Sequence, residues 1–173
     1  MKQLNVIMLR YHSYNIVFQE VPGEVTLAIN LSNCPNGCKG CHSPHLQEKI
    51  GTELSENVIA DLLHKYGNAI TCICFMGGDA NPEEVQNLTW FIKTNTQGRL
   101  KTAWYSGRPK LPDQFNLTTL DYLKLGPYIE QLGGLDSPAT NQRFYCVIDG
   151  ELEDKTLGFQ KRRSLPAFPY DIF

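Results

Sequence analysis

The chain has 173 residues, a formal net charge of −2 at pH 7 and 20% charged residues. A chain of this length is expected to form one domain over residues 1–173, and the charge balance argues against the basic stripe that general nucleic-acid binding requires. No apolar run reaches the ~20 residues that span a bilayer, and the N-terminus lacks a signal-peptide pattern, so we expect a cytoplasmic protein. In that reducing setting, cysteines are expected as metal ligands or buried thiols rather than disulfides.

Strands and helices are predicted to alternate along the first two-thirds of the chain. Apolar residues at every second position from 25 to 31 indicate a strand, and a helical period from 54 to 66 with Ser55 before it indicates a capped helix. The remaining predictions, in chain order, are a buried strand over 70–76, a helix opened by Pro82, and strands in "LKTAWYSG" (100–107) and "DYLKLGPY" (121–128) separated by a short helical piece around 112–120.

The C-terminal part, from about 141 to 173, is predicted to differ. "RFYCVIDGELED" (143–154) indicates a hairpin that turns at Asp149-Gly150. The last residues, "KRRSLPAFPYDIF" (161–173), are expected to form an irregular tail.

This alternation predicts an α/β fold with parallel strands joined by right-handed crossovers. About four βα units are too few to close an eight-stranded barrel of ~250 residues, so an open, partial (βα) barrel or a doubly wound sheet remains. In both folds, ligands bind at the carboxyl ends of the strands. The cysteine loop after residue 31, Gly77-Gly78-Asp79 and Ser106-Gly107 each follow a predicted strand, and we expect all three to lie at that edge.

Three cysteines lie within eight residues of one another in "NCPNGCKGCHSPHLQ" (33–47). Cys34, Cys38 and Cys41 could hold a zinc ion if His42 or His45 supplied a fourth ligand, but structural zinc sites usually consist of two separated ligand pairs. An iron–sulfur cluster held by three cysteines would leave one iron without a protein ligand, and in an enzyme such an iron is a coordination site. The crowding of all candidate ligands into one loop favours the cluster.

The Cys-x3-Cys-x2-Cys spacing after a strand resembles that of the radical S-adenosylmethionine superfamily. The resemblance implies an open partial (βα) barrel and one 4Fe-4S cluster, with Cys34, Cys38 and Cys41 as its metal ligands. It also implies that the fourth iron chelates the amino and carboxylate groups of S-adenosyl-L-methionine.

Two glycines of this loop fit the same interpretation. Gly37 and Gly40 allow backbone conformations closed to most residues, as a loop wrapped around a cluster needs. Many superfamily members carry an aromatic residue where Gly40 stands. His42 is therefore expected either to provide the flat face towards adenine or to make a local hydrogen bond.

"FMGGDANPEEV" (75–85) resembles the Gly-Gly-Glu motif of the superfamily in a Gly-Gly-Asp form. Gly77 and Gly78 are expected to expose carbonyl groups to the amino group of S-adenosylmethionine, and Asp79 to add negative charge nearby. Ser106 is expected to contact the ribose or the carboxylate of the same cofactor.

For the other polar or metal-ligating residues, an interpretation outside any functional site is preferred. Cys72, Cys74 and Cys146 are expected as small buried hydrophobic residues rather than as a second metal site. Asp121 and Lys124 could form a polar pair near the cavity, although a solvated strand end is the preferred interpretation.

The short chain, "CPNGCKGCHSP", "MGGDA" and "KLGPYIEQLGGLDSPATNQRFY" (124–145) together resemble the activating proteins of anaerobic ribonucleoside-triphosphate reductase, over about 24–150. The resemblance implies an oxidoreductase that receives an electron from a donor such as a flavodoxin or ferredoxin. It then forms a 5′-deoxyadenosyl radical that takes a hydrogen from one glycine of the reductase and leaves a glycyl radical. No side chain is expected to act as a catalytic acid or base, and neither nucleic acid nor membrane is an expected partner.

Three alternatives remain open. The protein could activate another glycyl radical enzyme, although typical larger activases carry additional clusters and this sequence has no second cysteine cluster. It could be a small radical enzyme that acts on a nucleotide-like molecule. It could also be a non-enzymatic, zinc-stapled binding module in which Gly77-Gly78 is only a turn.

Overall fold

The structure, a computed structural model, describes residues 8–162. Its strands are β1 (Arg10–Val17), β2 (Thr26–Leu31), β3 (Thr52–Glu53), β4 (Cys72–Met76), β5 (Lys101–Tyr105), β6 (Tyr122–Leu125), β7 (Arg143–Ile148) and β8 (Glu151–Asp154). Its helices are α1 (Glu56–Tyr66), α2 (Pro82–Asn95) and α3 (Leu157–Arg162), with short 3-10 turns at Pro44–Gln47 and Leu117–Thr119. No helix within residues 8–162 has the length and apolar character needed to cross a membrane.

All eight strands form one mixed sheet in the order β3-β1-β2-β4-β5-β6-β7-β8. The four central strands, β2, β4, β5 and β6, are parallel, as the sequence predicts, and both flanks are antiparallel. The carboxyl ends of the central strands therefore lie at one edge. The curvature of a partial barrel stays a prediction.

The two faces of the sheet are packed differently. On one face, apolar side chains of α1 and α2 cover large strand residues such as Ile29, Phe75 and Trp104, all fully buried. The opposite face carries smaller strand residues, with Cys72, Cys74 and Ala103 packed near Phe144. Because successive strand residues point to opposite faces, this separation follows directly from the sequence of each strand.

Most predicted elements are confirmed. Ser55 caps α1 by accepting a hydrogen bond from the Val58 backbone N–H at 3.5 Å. The hairpin between β7 and β8 turns at Asp149 and Gly150, whose φ angles of 52° and 79° are the paired positive values of a type I′ turn. The predicted helical piece near 112–120 is only the 3-10 turn Leu117–Thr119.

Three strands or helices were not predicted, namely β1, the two-residue strand β3 and α3. β1 carries polar and partly exposed residues along most of its length, so it lacks a clear alternation, and its pairing with β2 and β3 places it in the sheet. α3 begins at Leu157 and includes residues 161 and 162, so the start of the predicted irregular tail is helical. The rest of the predicted tail, 163–173, lies outside the described residues.

At the edge opposite the carboxyl ends, a buried carboxylate joins the chain before β2 to β5 and β6. Glu24 accepts hydrogen bonds from Lys101 Nζ at 2.6 Å, the Tyr122 hydroxyl at 2.6 Å and Thr71 Oγ1 at 2.5 Å. Burial by itself would raise the pKa of Glu24, but these three hydrogen bonds outweigh it and hold the pKa below its ordinary value. The carboxylate therefore stabilises the folded state in its charged form.

We expect Glu24→Gln to lower the free energy of unfolding by about 2 kcal/mol at neutral pH. A folded-state pKa below the ordinary value of 4.5 means that this stabilisation is present above that pH and is lost as the pH falls through the folded-state pKa. Urea unfolding at neutral and acid pH checks this, with the exposed Glu151→Gln as control. An equal loss at both pH values would contradict the role of charge.

Candidate functional site at the carboxyl edge of the parallel strands

Asp79 joins the three loops that the sequence predicts to meet. It follows β4 and is 1% exposed. Its carboxylate accepts hydrogen bonds from Ser106 Oγ at 2.6 Å, the Gly107 backbone N–H at 2.8 Å and Asn36 Nδ2 at 2.5 Å. Arg108 donates to the Asp79 backbone carbonyl at 2.7 Å. The cysteine loop and the ends of β4 and β5 are therefore connected through one side chain.

This arrangement gives Asp79 and Ser106 partners other than those expected from the sequence. The Arg108 guanidinium lies 4.0 Å from Asp79 Oδ1, which partly neutralises the buried charge. The Ser106 hydroxyl donates to Asp79 and accepts from the Arg108 backbone N–H at 3.0 Å. Both side chains thus hold loops together, and the negative charge of Asp79 near a cofactor and the contact of Ser106 with it stay predictions.

The three cysteines lie, partly exposed, on the loop between β2 and the Pro44–Gln47 turn. The Ser43 backbone N–H donates to Cys41 Sγ at 3.4 Å, and the Asn36 side chain donates to Cys34 Sγ at 3.6 Å. Such N–H donors to sulfur are typical of thiolates that bind iron–sulfur clusters. The donor set and its hydrogen bonds therefore fit a cluster.

The two histidines that the sequence offers as a fourth zinc ligand both pack against other rings. Within residues 8–162, no three His, Cys, Asp or Glu side chains surround a position that could hold a metal ion. A structural zinc ion requires four ligands around one point. The rings of the two candidate histidines lie against other aromatic rings: His42 is 4.7 Å from Tyr128, and His45 is 5.1 Å from His12.

Burial raises the pKa of the Cys34 thiol, and the negative charge of Asp79 acts in the same direction. The N–H groups of Asn36 oppose this effect without cancelling it. Metal ligation by Cys34 therefore has to release a proton, so metal affinity is expected to increase with pH.

Gly77 and Gly78 form a tight strand end with φ angles of 100° and 95°. A Cβ atom at Gly78 would lie 2.7 Å from Val85 Cγ2, so no larger residue fits there without a shift. The Gly77 carbonyl accepts from the Trp104 indole at 2.7 Å and the Gly78 carbonyl from the Asn81 backbone N–H at 3.0 Å. Each carbonyl oxygen keeps a second lone pair for the ligand amino group that the sequence analysis expects.

A cavity of about 490 Å³ opens beside these loops. Its size is within the range of small-molecule sites. Four of its lining residues, Asn30, Met76, Tyr105 and Lys124, are register partners on neighbouring strands and form one row across β2, β4, β5 and β6. Cys41, His42 and Gly77 also line it, so the cysteine loop and the first strand-end glycine border the same space.

Lys124 is the residue that the sequence analysis missed. It was interpreted as part of a solvated strand end, but it is 9% exposed, and Asp121 instead pairs with Lys93 at 3.1 Å. Lys124 Nζ donates to the Gly126 carbonyl at 2.9 Å. Burial lowers the pKa of Lys124 to about 8, against the opposing charges of Asp79 and Cys38. The signal that could have found it is its register with Tyr105, which requires knowledge of the strand pairing.

The segment 126–142 covers the cysteine loop from outside. Tyr128 packs edge-on against His42, and a Cβ atom at Gly40 would lie 3.2 Å from Glu130 Cδ. The segment is held closed where Asn141 Nδ2 donates to the Pro127 carbonyl at 3.0 Å. It therefore forms the outer wall of the cavity, and His42 and Gly40 lie between the cysteines and this wall.

The other three cysteines lie on strands of the sheet. Cys72 and Cys74 are fully buried in the smaller core cluster, as predicted. Cys146, also expected to be buried, is only half-buried. All three lie on strands β4 and β7, away from the three-cysteine loop in sequence.

Comparisons of this chain with protein-family models, curated proteins and solved structures found no match. Around one cavity, the site combines Cys41 of the three-cysteine loop, the buried ammonium group of Lys124 and the strand-end glycine Gly77.

We expect Lys124→Met to stabilise the protein at neutral pH. A lysine whose folded-state pKa lies near 8 destabilises the fold below that pH, and the cost disappears as the pH rises towards 10.5. The gain in unfolding free energy should therefore shrink over that range, which urea unfolding measures. The exposed Lys110→Met is the control. A gain that does not depend on pH would show that the ammonium group carries no burial cost.

Proposed function

We propose that this protein is a radical S-adenosylmethionine activase that forms the glycyl radical of an anaerobic ribonucleoside-triphosphate reductase. One observation carries the proposal: a three-cysteine loop, a Gly-Gly strand end and a buried lysine border one cavity at the carboxyl edge of four parallel strands. When bound, a 4Fe-4S cluster and S-adenosyl-L-methionine supply a 5′-deoxyadenosyl radical that removes a hydrogen atom from a glycine. The protein has to hold, orient and shield these groups.

Cys34, Cys38 and Cys41 would hold the cluster through their thiolates. Cys41 lines the cavity, so the loop that carries the ligands borders the space for the second cofactor. The Ser43 N–H at Cys41 and the Asn36 amide at Cys34 would stabilise the thiolates.

The remaining cavity residues match the parts of S-adenosylmethionine. The Lys124 ammonium group uses one of its three N–H donors on the Gly126 carbonyl, and the others can pair with the carboxylate of a ligand. Gly77 lines the cavity, and the second lone pair of its carbonyl oxygen can accept from an amino group. The edge-on pair of His42 and Tyr128 offers aromatic surface to adenine.

The apolar part of the cavity wall supports the protection of a radical. Met76, Leu135 and Phe159 line the cavity, and Phe159 packs on Phe144 at 4.9 Å between ring centroids. Such side chains exclude water from the space beside a reactive intermediate.

Exposed apolar residues beside the cavity wall support a protein substrate. Phe18 is 67% exposed and directly precedes the lining residues Gln19 and Glu20. Leu157, the first residue of α3, is also 67% exposed and lies two positions before the lining residue Phe159. Exposed apolar residues that border a cavity are typical of protein contact surfaces. A glycine on a loop of the reductase can then enter beside them.

The proposal also includes a fold and a cellular compartment. The mixed sheet with its parallel centre is compatible with an open partial barrel. Free thiols and an oxygen-sensitive cluster suit the reducing cytoplasm, where a flavodoxin or ferredoxin can donate the electron.

Anaerobic reconstitution with iron and sulfide is expected to give a brown protein with about four irons and four sulfides per chain. Cys34→Ala, Cys38→Ala and Cys41→Ala should each lose most of this iron, because each removes one ligand. Cys146→Ala is the matched control, since that half-buried cysteine lies on β7. A colourless protein with stoichiometric zinc would favour the binding module instead.

The reduced, reconstituted protein is expected to produce a glycyl radical when incubated anaerobically with S-adenosylmethionine and the reductase. Electron paramagnetic resonance measures this radical. The three cysteine variants should give no signal, and Cys146→Ala should give a normal one. Full activity in any variant of Cys34, Cys38 or Cys41 would show that the site assignment is wrong.

A further inference from the structure

We infer that Asn36 is a positioning residue for the Cys34 sulfur, anchored by Asp79 in a space that Gly107 leaves open. The identity of the group that Cys34 binds rests on the proposed function. The arrangement of Cys34, Asn36, Asp79 and Gly107 does not. From the sequence, Asn36 has no predicted role and Gly107 is expected only to lie at a strand end. In the structure, both support the cysteine loop from the side of the sheet.

The Asn36 side-chain amide bridges the cysteine loop and the end of β4. Its Nδ2 atom is 3.6 Å from Cys34 Sγ and 2.5 Å from Asp79 Oδ2. An amide nitrogen carries two hydrogens that point in different directions, so one can serve the carboxylate and the other the sulfur. The short contact with the charged acceptor is the stronger one and determines where the second hydrogen points.

Asp79 is a rigid anchor for this amide. Ser106 and the Gly107 N–H occupy other lone pairs of its carboxylate, and the Arg108 guanidinium holds its backbone carbonyl. With only 1% of its surface exposed, Asp79 has little room to change rotamer. The Cys34 sulfur is therefore positioned through a residue at the end of β4 as well as by its own loop.

Gly107 provides the space for the bridge. A Cβ atom there would lie 2.4 Å from Asn36 Nδ2 and 3.1 Å from Asn36 Cγ. Its φ angle is not in the left-handed region, so backbone conformation does not require a glycine at this position. The approach of the Asn36 amide does require one.

The bridge has an electrostatic consequence for a cluster bound at Cys34. A reduced cluster carries one more negative charge than an oxidised one, so an N–H donor to its sulfur stabilises the reduced form and raises the reduction potential. The Asp79 carboxylate acts in the opposite direction. Loss of the Asn36 amide should lower the potential, and Asp79→Asn should raise it because Asn keeps an acceptor oxygen but removes the charge.

The first test uses the protein without metal. Lys39 is exposed in the cysteine loop, so trypsin cleavage after it reports how firmly the loop is held. We expect several-fold faster cleavage in Asn36→Ala and in Gly107→Ala. The control is Gly158→Ala, because a Cβ atom there meets nothing within 4 Å. Cleavage after the exposed Lys110 serves as the internal reference.

The second test uses the reconstituted protein. Asn36→Ala and Gly107→Ala should reduce iron affinity about 10-fold. A redox titration followed by electron paramagnetic resonance should place the Asn36→Ala potential below that of the wild type and the Asp79→Asn potential above it. Thermal unfolding checks that each variant is folded. If Gly107→Ala fails to fold, Asn36→Ala still tests the inference, because it alters only a partly exposed loop side chain.

The outcomes separate this inference from the proposed function. A wild-type protein that binds no cluster would overturn the proposed function, and cleavage after Lys39 would then decide whether Asn36 anchors the loop. Unchanged cleavage in folded Asn36→Ala and Gly107→Ala would overturn the inference. Faster cleavage with an unchanged potential would also overturn it, because Asn36 would then support only the loop.

Discussion

The site depends on one buried carboxylate at the end of a central parallel strand. A charged group that is 1% exposed is stable only when donors surround it, and Asp79 finds them on the cysteine loop and on the loop after β5. Separation of these loops would leave the charge without partners, at a cost of several kcal/mol. The need to satisfy one carboxylate therefore brings Asn36, Ser106 and Gly107 to a common point, and with Asn36 comes the first of the three cysteines.

The cavity lies on the face of the sheet that α1 and α2 do not cover. Large residues such as Phe75 and Trp104 fill the face under α1 and α2, whereas small residues such as Cys74 and Ala103 occupy the other. At the carboxyl ends of the strands on that second face, the segment 126–142 encloses space over the row that ends at Lys124. Lys124 reaches into this space as a buried ammonium group, and such a charge is worth its cost to stability where a ligand anion can pair with it.

The two walls of the cavity have different properties, which suits the proposed radical chemistry. The sheet side is rigid, since its residues form a register row over four hydrogen-bonded strands. The outer side is a long segment with little regular structure that touches the cysteine loop through Tyr128 and Glu130. A rigid floor can fix two cofactors relative to each other, and an irregular outer wall can adapt to the surface of a large protein substrate.

Local patterns were sufficient to predict much of this protein from its sequence: the central strands, α1 and α2, the Asp149-Gly150 turn and the meeting of three strand ends. Each depends on residues close together in the chain, such as the Ser55 cap. The partners of Asp79, the burial of Lys124 and the position of β1 depend instead on which strands pair and in which register. Only the tertiary structure decided these, because hydrogen bonding and burial are properties of neighbours that are distant in sequence.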